Sequence, residues 1–153
     1  MTTLLALDIG GTKVGWGIVE VGQNYTVVER GSIPTEASRG GADVAERICS
    51  LAASLKEAHP EASGVAIASA GVVDPAEGKI VSATDIMPGW GGTPLGKLVE
   101  ERTGLPVRVL NDVHAHGLGE ATLGAGRPYS SVLSIAVGTG IGGALVEDGH
   151  VTF

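Results

Sequence analysis

Residues 8–13 read Asp-Ile-Gly-Gly-Thr-Lys and bring together a carboxylate, two glycines, a hydroxyl and an ammonium group. Glycines let backbone N–H groups approach an anion closely and form nest-like turns. Gly10, Gly11, Thr12 and Lys13 therefore form a candidate phosphate site. Asp8 is a hard oxygen ligand of the kind that suits Mg2+, directly or through water; the plainer alternative is a residue that ends a strand and caps the turn. The spacing excludes a Walker loop, which needs a longer interval before Gly-Lys-Ser/Thr and a helix after it. A Rossmann turn also opens a helix, whereas the residues after Lys13 alternate as a strand does.

A second candidate is Asn111-Asp112, at the end of the apolar run 106–112. Ligands of open α/β sheets collect at the carboxyl ends of strands. There an aspartate can accept a hydrogen bond from a substrate hydroxyl and take its proton, and an asparagine can both donate and accept. The alternative is an Asn-Asp pair that only caps the next helix. A third feature is an internal echo. Setting Gly11-Thr12 on Gly138-Thr139 aligns Val14 with Ile141, Gly15 with Gly142, Ile18 with Leu145, Val19 with Val146 and Glu20 with Glu147. Gly138, Thr139 and Gly140 would then be a second phosphate turn, the other jaw of a two-jawed grip. The place of Asp8 falls on Ile135, so the acid occurs once. Two glycine hairpins can also align this well by chance.

The elements that must position these residues follow from periodicity. Residues 4–9 read as a strand buried on both faces. Val14, Trp16 and Ile18 alternate with Gly15 and Gly17 as a second strand, and 25–33 make a third. Val44, Ile48, Leu51 and Leu55 fall at helical spacing, with a stop at His59-Pro60. Residues 63–71 are a short buried strand, followed by a proline turn and a short extended piece. The helix over 93–104 has Thr93 as N-cap, Pro94 at its first position and Gly104 as its stop. A strand over 106–112, a helix over 113–126 and a strand–turn–strand hairpin complete the chain. The order βββαβαβα followed by a hairpin implies an antiparallel start and right-handed crossovers. The glycines and Pro128 of 124–130 mark a boundary, giving domains 1–124 and 125–153.

Composition narrows the class. The 153 residues are 43% hydrophobic but only 3% aromatic, with 25 glycines, as in an α/β core of small aliphatic side chains. A formal net charge of -7 argues against a nucleic-acid or anionic-membrane surface. Cys49 is alone, which excludes an internal disulfide or a cysteine-based metal site in this chain. His114 and His116 fall on different faces of a helix and make an improbable metal pair; Glu120 reads as a solvated or capping carboxylate. The apolar run at 4–9 is too short for a signal peptide or membrane span, so a cytoplasmic protein is expected.

"LDIGGTK", "GWGGTPL", "VLNDVHAHGLGE" and "VGTGIGGALVEDG" occur in the order and approximate spacing of the ROK family, and the resemblance covers essentially the whole chain. That family, within the actin/hexokinase-like ATPase superfamily, comprises bacterial sugar kinases, including glucokinases, and related repressors. The resemblance implies a ribonuclease H-like/actin-like ATPase domain followed by the first hairpin of a second, similar lobe. It implies ATP and Mg2+, a hexose substrate phosphorylated on a hydroxyl (the 6-hydroxyl in a glucokinase), and a homodimer or homotetramer. The position matching Asp112 holds the family's catalytic aspartate, and those matching Gly71, Val72 and Asn111 contact sugar. One departure is Asp85, where many members have a sugar-contacting Asn before the Gly-Trp pair; Trp90 could wall the pocket or pack in the core.

The family's Glu-x-Gly-His motif, its structural zinc ligands and most of its adenosine pocket are not found in these residues. The expectation is an N-terminal half with negligible kinase activity on its own. The alternatives are a sugar-sensing transcriptional regulator of the same family, a non-catalytic sugar-binding protein, or an ATPase of another actin-like branch.

Overall fold

The computed structural model describes residues 1–153 except Thr139. It divides into two compact units, Met1–Leu110 and Asn111–Phe153.

The first unit opens with the expected meander, β1 (Thr2–Ile9), β2 (Lys13–Val21) and β3 (Tyr25–Pro34). Helix α1 (Gly41–Ala58) carries the chain to β4 (Ala62–Ser69), which pairs parallel to β1 with Leu5 opposite Val65 and Asp8 opposite Ala68. A small antiparallel pair, β5 (Val72–Asp74) and β6 (Lys79–Ser82), precedes α2 (Leu95–Thr103) and β7 (Val107–Asn111), whose last residue opens the second unit. The sheet order is β3-β2-β1-β4-β7.

Alternation decides the core. Leu5, Leu7 and Ile9 of β1 are buried with Val14 and Ile18 of β2, Ile48 and Ala52 of α1, and Val99 of α2. Each such Leu, Ile or Val side chain contributes roughly 1.5–3 kcal/mol on leaving water. The other face of β1 differs from expectation. Leu4 and Ala6 are only half-buried and Asp8 is exposed, because α1 and α2 pack against each other and cover the odd-numbered face.

Three local expectations are corrected. Helix α2 starts at Leu95, with Pro94 in the N-cap position. Thr93 is not the cap: its hydroxyl donates to the Trp90 carbonyl at 2.7 Å. Gly104, with φ of 69°, ends the helix as expected. The proline turn and the extended piece after it, β6, lie where expected, but a strand not expected, β5, precedes the turn, which is held by Asp74 Oδ1 accepting from Ala76 N–H at 2.9 Å and Glu77 N–H at 3.3 Å. At the start of α1, Gly41 N–H donates to the Pro88 carbonyl at 2.7 Å, and the main chain of Gly89 lies where a Cβ on Gly41 would sit.

The second unit contains α3 (Asp112–Thr122), β8 (Ser131–Val137), β9 (Ile141–Glu147) and β10 (His150–Thr152), with sheet order β10-β9-β8. Helix α3 ends before 126 because the N–H groups of Gly124 and Gly126 fold back onto the Glu120 carbonyl at 3.1 and 3.0 Å. β10 was not anticipated: the turn at Asp148-Gly149 sends three residues back along β9. Helix α3 lies close on this sheet, where a Cβ on Gly117 would come within 2.6 Å of Ala144 Cβ. On the opposite face Leu133, Ile135, Val137 and Ile141 are exposed. Among the described residues no helix is long and apolar enough to cross a membrane.

Candidate functional site

In the first unit the predicted phosphate turn joins β1, the central strand, to β2. Ile9 pairs with Val14, and residues 10–13 turn between them. Gly10 N–H donates to the Lys13 carbonyl at 3.0 Å and closes the turn. Thr12 and Lys13 are exposed, and Asp8 stands exposed on β1 opposite Gly15.

A residue that sequence reasoning missed holds this turn from behind. Thr35, only 1% exposed, donates its hydroxyl to the Gly10 carbonyl at 2.7 Å and its N–H to the Thr12 carbonyl at 2.9 Å. Arg47 of α1 in turn donates to the carbonyls of Thr35 at 2.7 Å and Pro34 at 2.8 Å. The Gly10 and Thr12 carbonyls are thus occupied, while the N–H groups of Gly11 and Thr12 are taken by no carbonyl among the described residues. Turns expose their N–H groups to an anion in this way. No sequence signal marks Thr35, which looks like an ordinary polar loop residue after Pro34.

Gly71 follows the carboxyl end of β4, where Ala70 N–H donates to the Ile9 carbonyl at 3.0 Å. Its φ of +97° and a Ser82 carbonyl oxygen 2.7 Å from any added Cβ both require glycine. Val72 beside it is 58% exposed, so its side chain is available for contact. Trp90 settles in the core instead: it is fully buried, and its indole N–H donates to the buried Ser69 hydroxyl at 3.2 Å.

In the second unit, Asn111 and Asp112 form one hydrogen-bonded group at the start of α3. Asn111 Oδ1 accepts from Val113 N–H at 3.0 Å and His114 N–H at 3.2 Å, a true N-cap. Its amide donates to Asp112 Oδ1 at 3.0 Å, and Val113 N–H donates to the same oxygen at 2.9 Å. The capping and chemical readings are therefore compatible: the cap orients the aspartate by one oxygen.

The second turn lies between Val137 and Ile141, which pair, and Gly138 N–H donates to the Gly140 carbonyl at 2.8 Å. Thr139 lies outside the described residues. Strand pairing corrects the echo, because this turn is one residue shorter than the first. Asp8 faces Gly15 in the first hairpin and Ala136 faces Gly142 in the second, so the acid's counterpart is Ala136 rather than Ile135. Glu120 accepts from Ala125 N–H at 3.4 Å, in keeping with a capping carboxylate. His114 meets the ring of Phe153 edge-on, with centroids 5.3 Å apart. Among the described residues no three His, Cys, Asp or Glu side chains cluster as metal ligands.

A cavity of about 590 Å³ opens beside α1 and α2, lined by Cys49, Glu46 and Arg102 among others, and none of the predicted site residues lines it. Burial pushes the Cys49 thiol up, away from reactivity. Arg102 grips Glu46 through both carboxylate oxygens at 3.0 and 2.8 Å and holds that carboxyl below its ordinary range.

The sheet order β3-β2-β1-β4-β7, with an antiparallel start and crossover helices, is the ribonuclease H-like arrangement of the actin-like ATPases. The chain belongs to the ROK family, whose profile matches residues 4–153. It is 33% identical to a glucokinase of Thermotoga maritima over 148 residues, covering 97% of this chain and 45% of that enzyme. The ROK hexokinase of Thermus thermophilus superposes with a TM-score of 0.83 at 31% identity, over 99% of this chain and 49% of that one. A ROK family glucokinase from Streptomyces griseus, solved in complex with glucose and AMPPNP, gives 0.82 at 31% identity over 98% of this chain and 46% of that one. The chain spans about half the length of the curated relatives it matches.

Proposed function

We propose that the complete polypeptide is an ATP-dependent sugar kinase of glucokinase type, transferring the γ-phosphoryl group to a hexose hydroxyl, the 6-hydroxyl in a glucokinase. The names of the relatives support sugar phosphorylation as the class, and the AMPPNP in the Streptomyces griseus structure supports ATP as the donor. In this reading 1–124 form the first lobe and 125–153 begin the second, although α3 packs within the compact unit that opens at Asn111.

The carrying observation is the state of Asp112. Among the described residues both of its hydrogen bonds fall on Oδ1, from Asn111 and from the Val113 N–H, so the carboxylate is oriented by one oxygen while the other can accept a substrate proton. Asp112 takes the hydroxyl proton as the sugar oxygen attacks phosphorus, and general-base help of this kind is worth roughly 10²–10⁴ in rate. Asn111, Gly71 and Val72 contact the sugar. The turn of Gly10, Gly11, Thr12 and Lys13, with that of Gly138, Thr139 and Gly140, binds the phosphates, the first through the N–H groups of Gly11 and Thr12 and the Lys13 charge.

The exposed Asp8 carboxylate, next to the turn on the uncovered side of β1, suits a hydrated Mg2+. A bound Mg2+ would neutralise phosphate charge. The zinc site expected from the family would draw its ligands from outside this chain.

Asp112→Asn in the complete polypeptide tests the reading. Phosphoryl transfer to glucose should fall by about 10³ or more while sugar affinity stays within about tenfold. Transfer surviving at near wild-type rate would remove Asp112 as the base.

A further inference from the structure

We propose that Thr35 is a positioning residue for the phosphate turn, setting the direction of its N–H groups through a relay that begins at Arg47. This rests on the reading of residues 10–13 as a phosphate site.

A turn can bind an anion only if its peptide planes are rotated so that N–H groups face out and carbonyls face in. Left alone, a glycine-containing turn samples many such rotations, since glycine adds little steric restriction. Here the Gly10 and Thr12 carbonyls are both claimed by one residue, at 2.7 and 2.9 Å. Fixing these two carbonyls fixes the peptide planes that follow them, and those planes carry the N–H groups of Gly11 and Lys13. Thr35 is 1% exposed, so water does not compete for its hydroxyl. Thr35 is itself fixed, because the Arg47 guanidinium holds the carbonyls of Thr35 and Pro34 at 2.7 and 2.8 Å. The chain of contacts runs from helix α1 through the end of β3 to the turn, all within one compact unit.

The gain is preorganisation: donors already aimed at a charge need no reordering when it arrives. A buried threonine serving only stability would satisfy its hydroxyl on any nearby carbonyl. This hydroxyl takes the Gly10 carbonyl, whose peptide plane carries the Gly11 N–H, while the bond to the Thr12 carbonyl comes from the Thr35 main chain and survives a change of side chain; losing the hydroxyl therefore frees the Gly11 N–H in particular.

The test compares Thr35→Val, which keeps the shape and deletes the donor, with Thr35→Ser, which keeps the donor, in the complete polypeptide. Binding of AMPPNP with Mg2+ is read from its dissociation constant and from the amide shifts of Gly11, Thr12 and Lys13; glucose affinity is measured alongside. The expected result is nucleotide affinity about tenfold or more weaker in Thr35→Val, restored within about threefold in Thr35→Ser, with glucose affinity unchanged within about twofold. Wild-type nucleotide affinity in Thr35→Val overturns the proposal, as does a parallel loss of nucleotide and glucose binding.

If Thr35→Val does not fold, Arg47→Gln decides. Nucleotide affinity weakened by a few-fold supports the relay, and unchanged affinity overturns it. A wild-type protein whose turn amides respond to AMPPNP but which phosphorylates no hexose refutes the kinase reading and leaves the Thr35 proposal standing. Turn amides that ignore AMPPNP refute both.

Discussion

The two glycine turns look alike in letters and differ in what surrounds them. The first lies at the end of the central strand of a five-stranded sheet and is held from behind by Thr35. The second closes on itself through Gly138 and Gly140 and joins β9 to the edge strand β8. A Cβ on Gly10 would come within 3.3 Å of the Lys13 carbonyl, and one on Gly11 within 2.7 Å of the Ile86 side chain, whereas Gly138 and Gly140 have nothing within 4 Å among the described residues. Packing therefore accounts for part of the glycine requirement in the first turn and for none of it in the second. In the proposed function, a demand for glycine at 138 or 140 would come from the approach of a phosphate.

The sharpest way to break this contrast is to cut the strands behind the turns. Leu5→Ala on the fully buried face of β1 should cost about 2–5 kcal/mol in chemical unfolding. Leu133→Ala on β8, 65% exposed, should stay within about 0.5 kcal/mol. Comparable losses would mean that the open face of β8 is covered in solution. Next in size is Asp8→Asn, expected to lower transfer by about 100-fold in steady-state kinetics, with Ala136→Asp failing to rescue it. Rescue would make the two hairpins interchangeable, against the register drawn here.

Smaller again is Gly138→Ala. It should leave the melting temperature within about 2 °C yet raise KM for ATP several-fold, the separation expected if a ligand approaches this main chain closely. The smallest effect belongs to the helices behind the first hairpin. Glu46→Gln removes the partner of Arg102, but the two side chains are 62% and 40% exposed and screened by water. A shift in melting temperature of about 2 °C or less is expected at neutral pH. Because Arg102 depresses the folded-state pKa of Glu46, the pair's contribution is present at neutral pH and is lost as pH falls through that lowered value. The difference between Glu46→Gln and wild type should vanish in acid.

What was legible in the sequence was what repeats or what only a few residue types can do. A continuous apolar run gave β1, period-two alternation gave β2, helical spacing gave α1, and the Asp-Ile-Gly-Gly-Thr-Lys and Leu-Asn-Asp motifs gave both candidate clusters. What escaped depends on pairing across space. The one-residue difference between the turns appears only when Asp8 is set opposite Gly15 and Ala136 opposite Gly142. Thr35 acquires its meaning from Gly10 and Thr12, more than twenty positions earlier, and no local pattern announces it. Trp90 could not be placed until Ser69 was found to receive its indole N–H. The uncovered side of β1 likewise follows from α1 and α2 choosing the same face, which a strand's own residues do not encode.

At the start of α1, the main chain of Gly89 occupies the space where a Cβ on Gly41 would be, and Pro88 accepts the Gly41 N–H. Two stretches of bare backbone are fitted together there with no side chain involved. In a saturation mutagenesis screen scored by growth, position 41 should be as intolerant as position 112, for an unrelated reason. Abundance would separate them: variants at Gly41 should disappear from the soluble fraction, while Asp112→Asn should accumulate as inactive protein. Intolerance alone would then point to a glycine that only makes room.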